Sequence, residues 1–284
     1  MPRLFVALGI TVGLVAASPG SGECMNQYFA ADKAALEAKG LPNGKVSPDH
    51  LVTETTYNIR GAKAGVPAIA ATINSQRSTV TCLEEVWASD ISALKRQTGY
   101  KYAIPAWAIS KNNDLFGNVL LTNLEPIKVG NPPRYGETIP LPHKPRHEAR
   151  SMGIARLRLG ERILTVGFTH FENKPAWPFD NRNEDREMQA SRFTAESFIN
   201  NIDIACLDSN DTPGSTTDNI MLGTSDNMAN SLAAEGLITY PNREEQIDMI
   251  RIGSRSNLVA LGIGTLASNA SDHCLTYGIT AVKP

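Results

Sequence analysis

The spacing of apolar and polar positions along the chain changes between patterns typical of strands and the 3.6-residue period of helices. This alternation predicts strands interspersed with helices. Short runs rich in β-branched and aromatic residues are typical of strands. These runs cover residues 52–59, 79–86, 119–122, 152–159, 163–170, 204–207, 247–252 and 273–282. Segments with good helix formers or a 3.6-residue apolar period predict helices over 26–38, 67–75 and 184–202, and one between Ser89 as its cap and Gly99 as its end.

The segment 184–202 has the clearest amphipathic pattern of the predicted helices. We expect one apolar face to pack against the protein, with Arg186, Glu187 and Glu196 elsewhere on the helix. That face comprises Met188, Ala195, Phe198, Ile199 and Ile202.

The order of these elements, with several hairpin-like pairs, favours a layered α/β protein with helices outside packed sheets. The 284 residues allow one large domain or two small ones. The sequence shows no short-period repeat, linker or low-complexity tract, so we expect one domain over residues 51–284. Residues 24–50 are interpreted as an N-terminal extension.

The first 23 residues have the pattern of a secretory signal peptide. Met-Pro-Arg precedes an apolar run over 4–17, and Ser-Pro-Gly-Ser-Gly follows it. The run is short for a membrane span. We therefore expect cleavage near residues 18–23 and a secreted protein, extracellular or periplasmic, with no transmembrane segment. The alternative is an uncleaved apolar helix.

Export would permit disulfides among the four cysteines, Cys24, Cys82, Cys206 and Cys274. Four cysteines allow three pairings, and the spacing does not choose among them. No pair has the Cys-x-x-Cys spacing of a zinc or redox motif. We interpret them as core residues or structural disulfides.

The charge balance excludes binding of nucleic acid by bulk charge. Lys and Arg number 27 and Asp and Glu number 29, so the net charge is 27 − 29 = −2. Basic residues cluster locally between Arg134 and Arg150, a pattern that suits phosphate contacts. A solvated loop is the alternative interpretation of that cluster.

Polar side chains that could carry chemistry lie at the ends of predicted strands. Carboxylates and amides beside apolar strands are costly to bury unless they bind each other or an ion. Oxygen-rich sites of this kind suit hard cations such as Mg²⁺. The residues concerned are Asn58, Glu84, Glu85, His170, Asp208, Asn210, Asp248, Asp272 and His273.

Seven ordered fragments resemble the endonuclease/exonuclease/phosphatase superfamily, which has the deoxyribonuclease I-like fold. The fragments are Tyr-Asn-Ile, Leu-Glu-Glu, Phe-Gly-Asn-Val-Leu-Leu, Thr-His, Leu-Asp-Ser-Asn, Ile-Asp and Ser-Asp-His. The resemblance runs from about Val52 to the end of the chain. It implies an α/β (α+β) fold, a four-layer sandwich with two central mixed β-sheets flanked by helices.

The resemblance also implies roles for individual residues. Glu85, Asn58 and Asp272 match positions that ligate or support the metal. Asp208 and Asn210 match the pair that orients the attacking water and the scissile phosphate. The remaining matches are His273 as the catalytic histidine, Asp248 as the carboxylate that holds it, His170 as a phosphate-contacting histidine, and Arg150 and Asn118 as substrate-binding residues.

The polar segment after His170 adds two candidate substrate contacts, Trp177 and Arg182. Loops that carry aromatic residues often bind ligands. Such a ring could stack on a base or dip into a lipid interface, and packing of the loop is the structural alternative.

This sequence departs from the family pattern at three points. Glu84 stands where the family usually has Gln, Leu207-Asp208-Ser209-Asn210 replaces a Gly-Asp-Phe-Asn-like motif, and Met249 follows Asp248 where Tyr is usual. All the proposed catalytic side chains are present, so the resemblance implies an active enzyme.

The function predicted on this basis is that of a secreted, Mg²⁺-dependent phosphodiesterase, a nuclease that hydrolyses nucleic acid as a monomer. Mn²⁺ and Ca²⁺ are alternative cofactors. A phospholipid or small phosphoester is the alternative substrate, as in a sphingomyelinase, another phospholipase C-type enzyme or an inositol-phosphate phosphatase. The third possibility is a non-catalytic binding or toxin-like subunit that keeps the fold.

Overall fold

A computed structural model describes residues 24–41, 50–111, 113–130, 132–174 and 182–283. The predicted signal peptide over 1–23 and the candidate substrate contact Trp177 lie outside these ranges. The strands of the described residues are β1 (Gln27–Ala30), β2 (Leu51–Asn58), β3 (Val80–Trp87), β4 (Tyr102–Lys111), β5 (Asp114–Thr122), β6 (Glu125–Pro126), β7 (Glu137–Pro140), β8 (Ser151–Leu159), β9 (Arg162–His170), β10 (Ile204–Asp208), β11 (Ser225–Asn227), β12 (Asp248–Gly253), β13 (Leu258–Leu266) and β14 (Leu275–Val282). The helices are α1 (Lys33–Ala38), α2 (Val66–Gln76), α3 (Ile91–Thr98), α4 (Arg182–Asn200), α5 (Thr216–Met221) and α6 (Met228–Ser231).

The strands form two mixed sheets of seven strands each. Sheet A has the order β1-β13-β14-β2-β3-β5-β4, and sheet B has the order β11-β12-β10-β9-β8-β6 with β7 also paired to β8. Each sheet contains one parallel pair, β2 with β3 and β9 with β10. Parallel neighbours end at the same edge of a sheet, so the polar residues that end these strands are brought together in pairs.

Alternate residues of the central strands face the space between the sheets, where they form the main core. This core contains Val80 and Cys82 of β3, Val166 and Phe168 of β9, Cys206 of β10 and Ile250 of β12. The opposite faces pack against helices: Ile69, Ile73 and Leu94 cover sheet A, and Ala190, Phe193 and Met221 cover sheet B. The predicted four-layer sandwich with two central mixed sheets is confirmed.

The predicted helix over 26–38 is wrong in its first half. Residues 27–30 form β1, which pairs antiparallel with the edge of β13, so backbone pairing overrides their helix propensity. The helical part is α1, and the Asp32 carboxylate caps it by accepting a hydrogen bond from the Ala35 amide at 2.6 Å.

The face predicted to be buried on the segment 184–202 is wrong in four of its five residues, since only Ile202, just after α4, is buried. Met188, Phe198 and Ile199 are 39%, 52% and 69% exposed, and Ala195 is exposed as well. The polar residues Asp185, Arg186, Gln189 and Glu196 are buried instead, together with Ala190 and Phe193. Three of these side chains bind the backbone of two flanking segments: Lys144 N donates to Asp185, Arg186 donates to Asn173 O, and Gln189 bonds Glu172 N and Pro142 O.

Ser89 does not cap α3, as the sequence predicted. It lies in the short 3-10 turn Ala88–Asp90 before the helix, and its hydroxyl donates to the Asp114 carboxylate at 2.7 Å. The predicted end of that helix is confirmed, because Gly99 follows it in the left-handed conformation with φ 74°.

A single disulfide joins two of the four cysteines. Cys24 and Cys274 form a disulfide that joins the start of the described chain to the segment just before β14. Cys82 and Cys206 are buried free thiols in the core between the sheets. Within the described residues, no helix is long and apolar enough to cross a bilayer.

Candidate active site

The candidate site lies at one open end of the core between the two sheets. The side chains of Asn58, Glu84, His170, Asp208 and Asp248 all continue the inward-facing alternation of β2, β3, β9, β10 and β12. Asp208 is in register with His170 on one side and with Asp248 on the other, and Asn58 is in register with Glu84. Ladder pairing therefore places residues from distant parts of the sequence at one edge.

A bulge in β3 separates the two neighbouring glutamates. The pairing with β5 shifts between Leu83 and Val86, and Glu85 has a positive φ of 57°. Glu84 is completely buried between the sheets, where its carboxyl accepts a hydrogen bond from the Thr56 hydroxyl at 2.8 Å. Glu85 is only partly buried and lines the cleft.

Asn58 connects the two sheets at the site. Its Nδ2 donates to Glu85 Oε1 at 3.1 Å and to Asp208 Oδ2 at 3.0 Å. Its Oδ1 accepts from the backbone amide of Arg60 at 2.9 Å, which fixes the orientation of the side-chain amide. The carboxylates of Glu85 and Asp208 therefore converge on one point.

His273 and Asp248 form a buried dyad. Nδ1 of His273 donates to Asp248, 3.0 and 3.1 Å from the two carboxylate oxygens, and Nε2 lies 3.8 Å from Asp208 Oδ2. Burial alone would lower the pKa of His273, but the carboxylates of Asp248 and Asp208 raise it to about 10. The imidazole is therefore protonated at neutral pH.

His170 is buried beside the Arg150 guanidinium and, unlike His273, it is neutral. Burial and the Arg150 guanidinium hold the pKa of His170 well below its usual range, so the ring is neutral. Arg150 donates to Nδ1 at 3.0 Å, and an arginine has no acceptor. Nε2 lies 3.4 Å from Asp208 Oδ2 and 2.9 Å from Nδ2 of Asn210, which is also a donor.

Asp208 is thus flanked by a neutral and a cationic histidine. Burial, followed by the charge of Asp248, raises the pKa of Asp208 to about 7. The backbone amide of Asn210 donates to Asp208 Oδ1 at 2.9 Å, and Asn210 has a positive φ of 51°. The Asn210 side chain lies 2.9 Å from His170 Nε2 and donates to Phe171 O at 3.0 Å.

The donor set fits a hard divalent cation. Glu84, Asp208 and Asp248 are buried carboxyls, and burial, followed by the negative charge of Asp248, raises the pKa values of Glu84 and Asp208. A bound cation would offset that negative charge, and oxygen ligands suit Mg²⁺. Glu85 and Asp208, which meet at Asn58, are the residues that would hold it. Asp272 instead lies 3.4 Å from the guanidinium of Arg60 at the rim.

A second candidate cation site shares some of these groups. Asp208, Asp248 and His273 each offer one ligand atom, and the three atoms lie within 4.8 Å of one another. A metal on Nε2 of His273 would require the ring to lose its second proton, which the raised pKa opposes. On the Glu85 side of Asp208, a cation would instead be held by carboxylate oxygens.

The cleft beside His170 contains two of the predicted substrate contacts. Glu85, Phe116, Asn118, Glu148, Arg150 and His170 are among its lining residues. Asn118 donates to Ser151 O at 3.0 Å, and Arg150 forms an ion pair with Glu148 at 3.0 Å. Arg182 is not among these lining residues and pairs with the buried Glu172 at 3.3 Å.

Acidic partners neutralise much of the basic cluster seen in the sequence. Lys144 pairs with Glu184, and His147 contacts Asp185. With Arg150 also paired to Glu148, these side chains are held against neighbouring acids. The segment therefore serves in part to dock onto α4.

Sequence reasoning missed Tyr240, whose ring packs against His273. The ring centroids are 4.8 Å apart and the planes are tilted by 48°. It also missed Asn173, whose Oδ1 accepts from Asn210 at 3.2 Å and from Arg150 at 3.4 Å. Neither residue belongs to a recognisable motif, and only the folded chain brings them to the site.

Comparisons with known proteins support the resemblance at the level of fold. No protein-family model and no curated protein matches the chain. Among solved structures, an endonuclease/exonuclease/phosphatase from Beutenbergia cavernae matches at 18% identity and TM-score 0.64, over 82% of this chain and 72% of that one. A mannosyl-6-phosphatase from Bacteroides thetaiotaomicron matches at 14% identity and TM-score 0.62, over 81% of this chain and 99% of that one.

A third similar structure is D. rerio TDP2 complexed with a single-strand DNA product. It matches at 13% identity and TM-score 0.62, over 81% of this chain and 98% of that one. At such low identity the similarity establishes the fold alone. The two seven-stranded sheets, their flanking helices and these matches together show that the chain has the fold of the endonuclease/exonuclease/phosphatase superfamily.

Proposed function

We propose that this protein is a metal-dependent phosphoester hydrolase, and specifically a nuclease that cleaves phosphodiester bonds of nucleic acid. The observation that carries the proposal is the arrangement around Asp208. Its Oδ2 atom lies 3.4 Å from a neutral histidine and 3.8 Å from a cationic one, beside Asn58 and Glu85. This arrangement combines a base, an acid and a cation site within one small volume.

Each residue of the site has a separate role in hydrolysis. Asp208, which accepts a hydrogen bond from the Asn58 side chain, orients the attacking water and accepts its proton. His273, held in orientation by Asp248, donates a proton to the leaving oxygen. Arg150 and His170 face the charge that develops on the non-bridging oxygens. Bound Mg²⁺ would neutralise charge on the phosphate.

The choice of nucleic acid over other phosphoesters is part of the proposal. The TDP2 structure with a single-strand DNA product supports it, while the mannosyl-6-phosphatase supports a phosphomonoester as the alternative. We also propose secretion, because the Cys24–Cys274 disulfide is typical of oxidising compartments. The monomeric state and the choice of Mg²⁺ over Mn²⁺ or Ca²⁺ are further parts of the proposal.

A single panel of assays tests the proposal. The purified protein is incubated with Mg²⁺ or EDTA and with plasmid DNA, RNA, sphingomyelin, an inositol phosphate or a mannose 6-phosphate ester. We expect cleavage of nucleic acid that depends on the metal and is lost in Asp208→Asn. Cleavage of a lipid or a monoester with intact nucleic acid would overturn the substrate. Turnover of none of them would favour the binding-subunit interpretation.

A further inference from the structure

A phosphodiester carries two ester-linked groups, one on each side of the phosphate. The candidate site has a surface on each side of Asp208 that such a group could contact. The cleft with Phe116, Asn118 and Arg150 lies on the His170 side. The His273 side is bordered by Tyr240, whose partly exposed ring packs against the imidazole at 4.8 Å. Nothing in the hydrolytic scheme above uses Tyr240.

An arginine extends this aromatic surface outward. The guanidinium of Arg243 lies 6.0 Å from the centroid of the Tyr240 ring, at the outer limit of a cation–π contact. Arg243 is exposed, so it is free to approach a ligand that reaches the ring. His273, Tyr240 and Arg243 therefore follow one another from the buried dyad to the solvent.

The segment that carries Tyr240 is held rigidly beside the dyad. Its backbone pairs with Glu245 in both directions, at 2.9 and 3.3 Å. Thr239 O accepts from the Cys274 amide at 2.7 Å, and Thr239 Oγ1 accepts from the amides of Ile247 and Asp248 at 2.9 Å. Lys174 forms an ion pair with Glu245 at 2.6 Å, so the segment is tied to both sides of the site.

We propose that Tyr240 and Arg243 form a nucleobase-binding subsite for the nucleotide on the His273 side of the scissile phosphate. The ring offers a stacking surface that tolerates any base, and Arg243 supplies a planar cation for the base or the next phosphate. The rim over Asn242, Arg243 and Glu244 is exposed and polar, which suits a nucleotide better than an acyl chain. The inference rests on the proposed function of the site.

An oligonucleotide series separates base binding from a purely structural role of Tyr240. Single-stranded oligonucleotides carry one abasic residue at successive positions around the cleaved bond, and kcat and KM are measured for each. For the intact oligonucleotide, Tyr240→Ala is expected to raise KM about tenfold and to change kcat less than threefold. Tyr240→Phe is expected to retain the wild-type KM, because it keeps the ring.

One abasic position should abolish the difference between wild type and Tyr240→Ala, and that position identifies the subsite. Arg243→Ala should raise KM by a smaller factor and reduce its dependence on salt. Tyr135, exposed before β7, provides the matched control, since Tyr135→Ala should leave both constants unchanged. A fall in kcat that is equal for every oligonucleotide would mean that Tyr240 only supports His273, and would overturn the proposal.

Binding without turnover distinguishes failure of the subsite from failure of the nuclease function. Fluorescence anisotropy of a labelled single strand in EDTA should show weaker binding for Tyr240→Ala than for wild type. If binding depends on Tyr240 but nothing is cleaved, the subsite stands and the nuclease proposal fails. If nucleic acid is cleaved with no dependence on Tyr240 or on any single base, the nuclease proposal stands and the subsite fails.

Discussion

Nδ1 of His273 lies 3.0 and 3.1 Å from the two carboxylate oxygens of Asp248, and this contact keeps a cationic imidazole in a buried site. The raised pKa of His273, about 10, means that its protonated form stabilises the fold. That contribution is fully present below the unfolded pKa of about 6.5 and is lost as the pH rises through about 10.

His273→Ala is therefore expected to reduce turnover of nucleic acid at least about 100-fold, because the leaving oxygen loses its proton donor. Asp248→Asn should also reduce turnover and move the alkaline loss of activity to lower pH, since the imidazole then has only its weaker partners. The measurement is the pH profile of kcat for each variant. His50→Ala, at an exposed histidine, is the control. Near-wild-type turnover in His273→Ala would remove His273 from the mechanism.

Replacement of each of the adjacent glutamates of β3 by glutamine is predicted to affect turnover very differently. Glu84 is buried, and burial together with the charge of Asp248 raises its pKa well above its usual range, which favours the protonated form. Glu84→Gln restores the amide that the resemblance leads us to expect, and turnover should stay within about threefold of wild type. Glu85→Gln removes a metal ligand, and turnover should fall about 100-fold or more.

Mg²⁺ titrations of the two variants, followed by calorimetry, provide the direct measurement for this pair. Glu85→Gln should weaken Mg²⁺ binding, and Glu84→Gln should leave it close to wild type. Equal losses in the two variants would contradict the separation of their roles by the β3 bulge.

Glu54 gives the fold a second dependence on pH, far from the proposed chemistry. It is fully buried on β2, its Oε1 accepts a hydrogen bond from the Thr280 hydroxyl, and burial raises its pKa to about 8. The unfolded carboxyl ionises above about 4.5 while the folded one keeps its proton, so stability falls as the pH rises from about 4.5 to about 8. At pH 7 the cost is about 3 kcal/mol.

Glu54→Gln removes that dependence, because an amide does not ionise. We expect the free energy of unfolding of the variant, relative to wild type, to improve between pH 5 and pH 8, as measured by urea denaturation at both values. Glu235→Gln, at an exposed position, is the control. Parallel pH curves for Glu54→Gln and wild type would show that Glu54 is ionised in the folded protein.

The disulfide closes most of the chain into one loop. Cys24 and Cys274 are 250 positions apart, and cross-links of this kind typically contribute about 2–5 kcal/mol to small secreted domains. The double variant Cys24→Ser/Cys274→Ser should lower the melting temperature, and a reductant should lower that of wild type but not of the variant. An unchanged melting temperature in the double variant would mean that the bond adds nothing to stability.

The two faces of α4 allow a paired test of the burial pattern. Phe193 is completely buried and contacts Phe171 with ring centroids 5.9 Å apart, whereas Ile199 is 69% exposed. Phe193→Ala should cost about 3–5 kcal/mol of unfolding free energy, and Ile199→Ala should change it by less than about 0.5 kcal/mol. A large loss at Ile199 would reveal a partner on that face, and chemical denaturation measures both.

Sequence reasoning identified the strand ends because buried strands and polar termini are local signals. Asn58, His170 and Asp208 each end an apolar run, and parallel pairing in both sheets brings such ends together. The fold class followed from the same signals and from the resemblance.

The elements that were missed depend on tertiary contacts. β4 contains Pro105, which weakens its strand signal but is tolerated because β4 is an edge strand. Gly262 and Gly264 interrupt the apolar run of β13 and have low strand propensity, but the rings of Tyr28 and Tyr277 pack closely over them. On α4, the buried polar side chains bind backbone groups more than 10 positions away, which no local period reveals.

The strand order gives the end of the chain a decisive role. β14 lies between β2 and β13, and the residues just before it supply His273 and the disulfide cysteine. A polypeptide that stops before Asp272 has neither the proton donor nor the strand that borders β2. Under the proposed function, a polypeptide truncated before this segment is therefore expected to be inactive, because these residues complete the hydrolytic machinery.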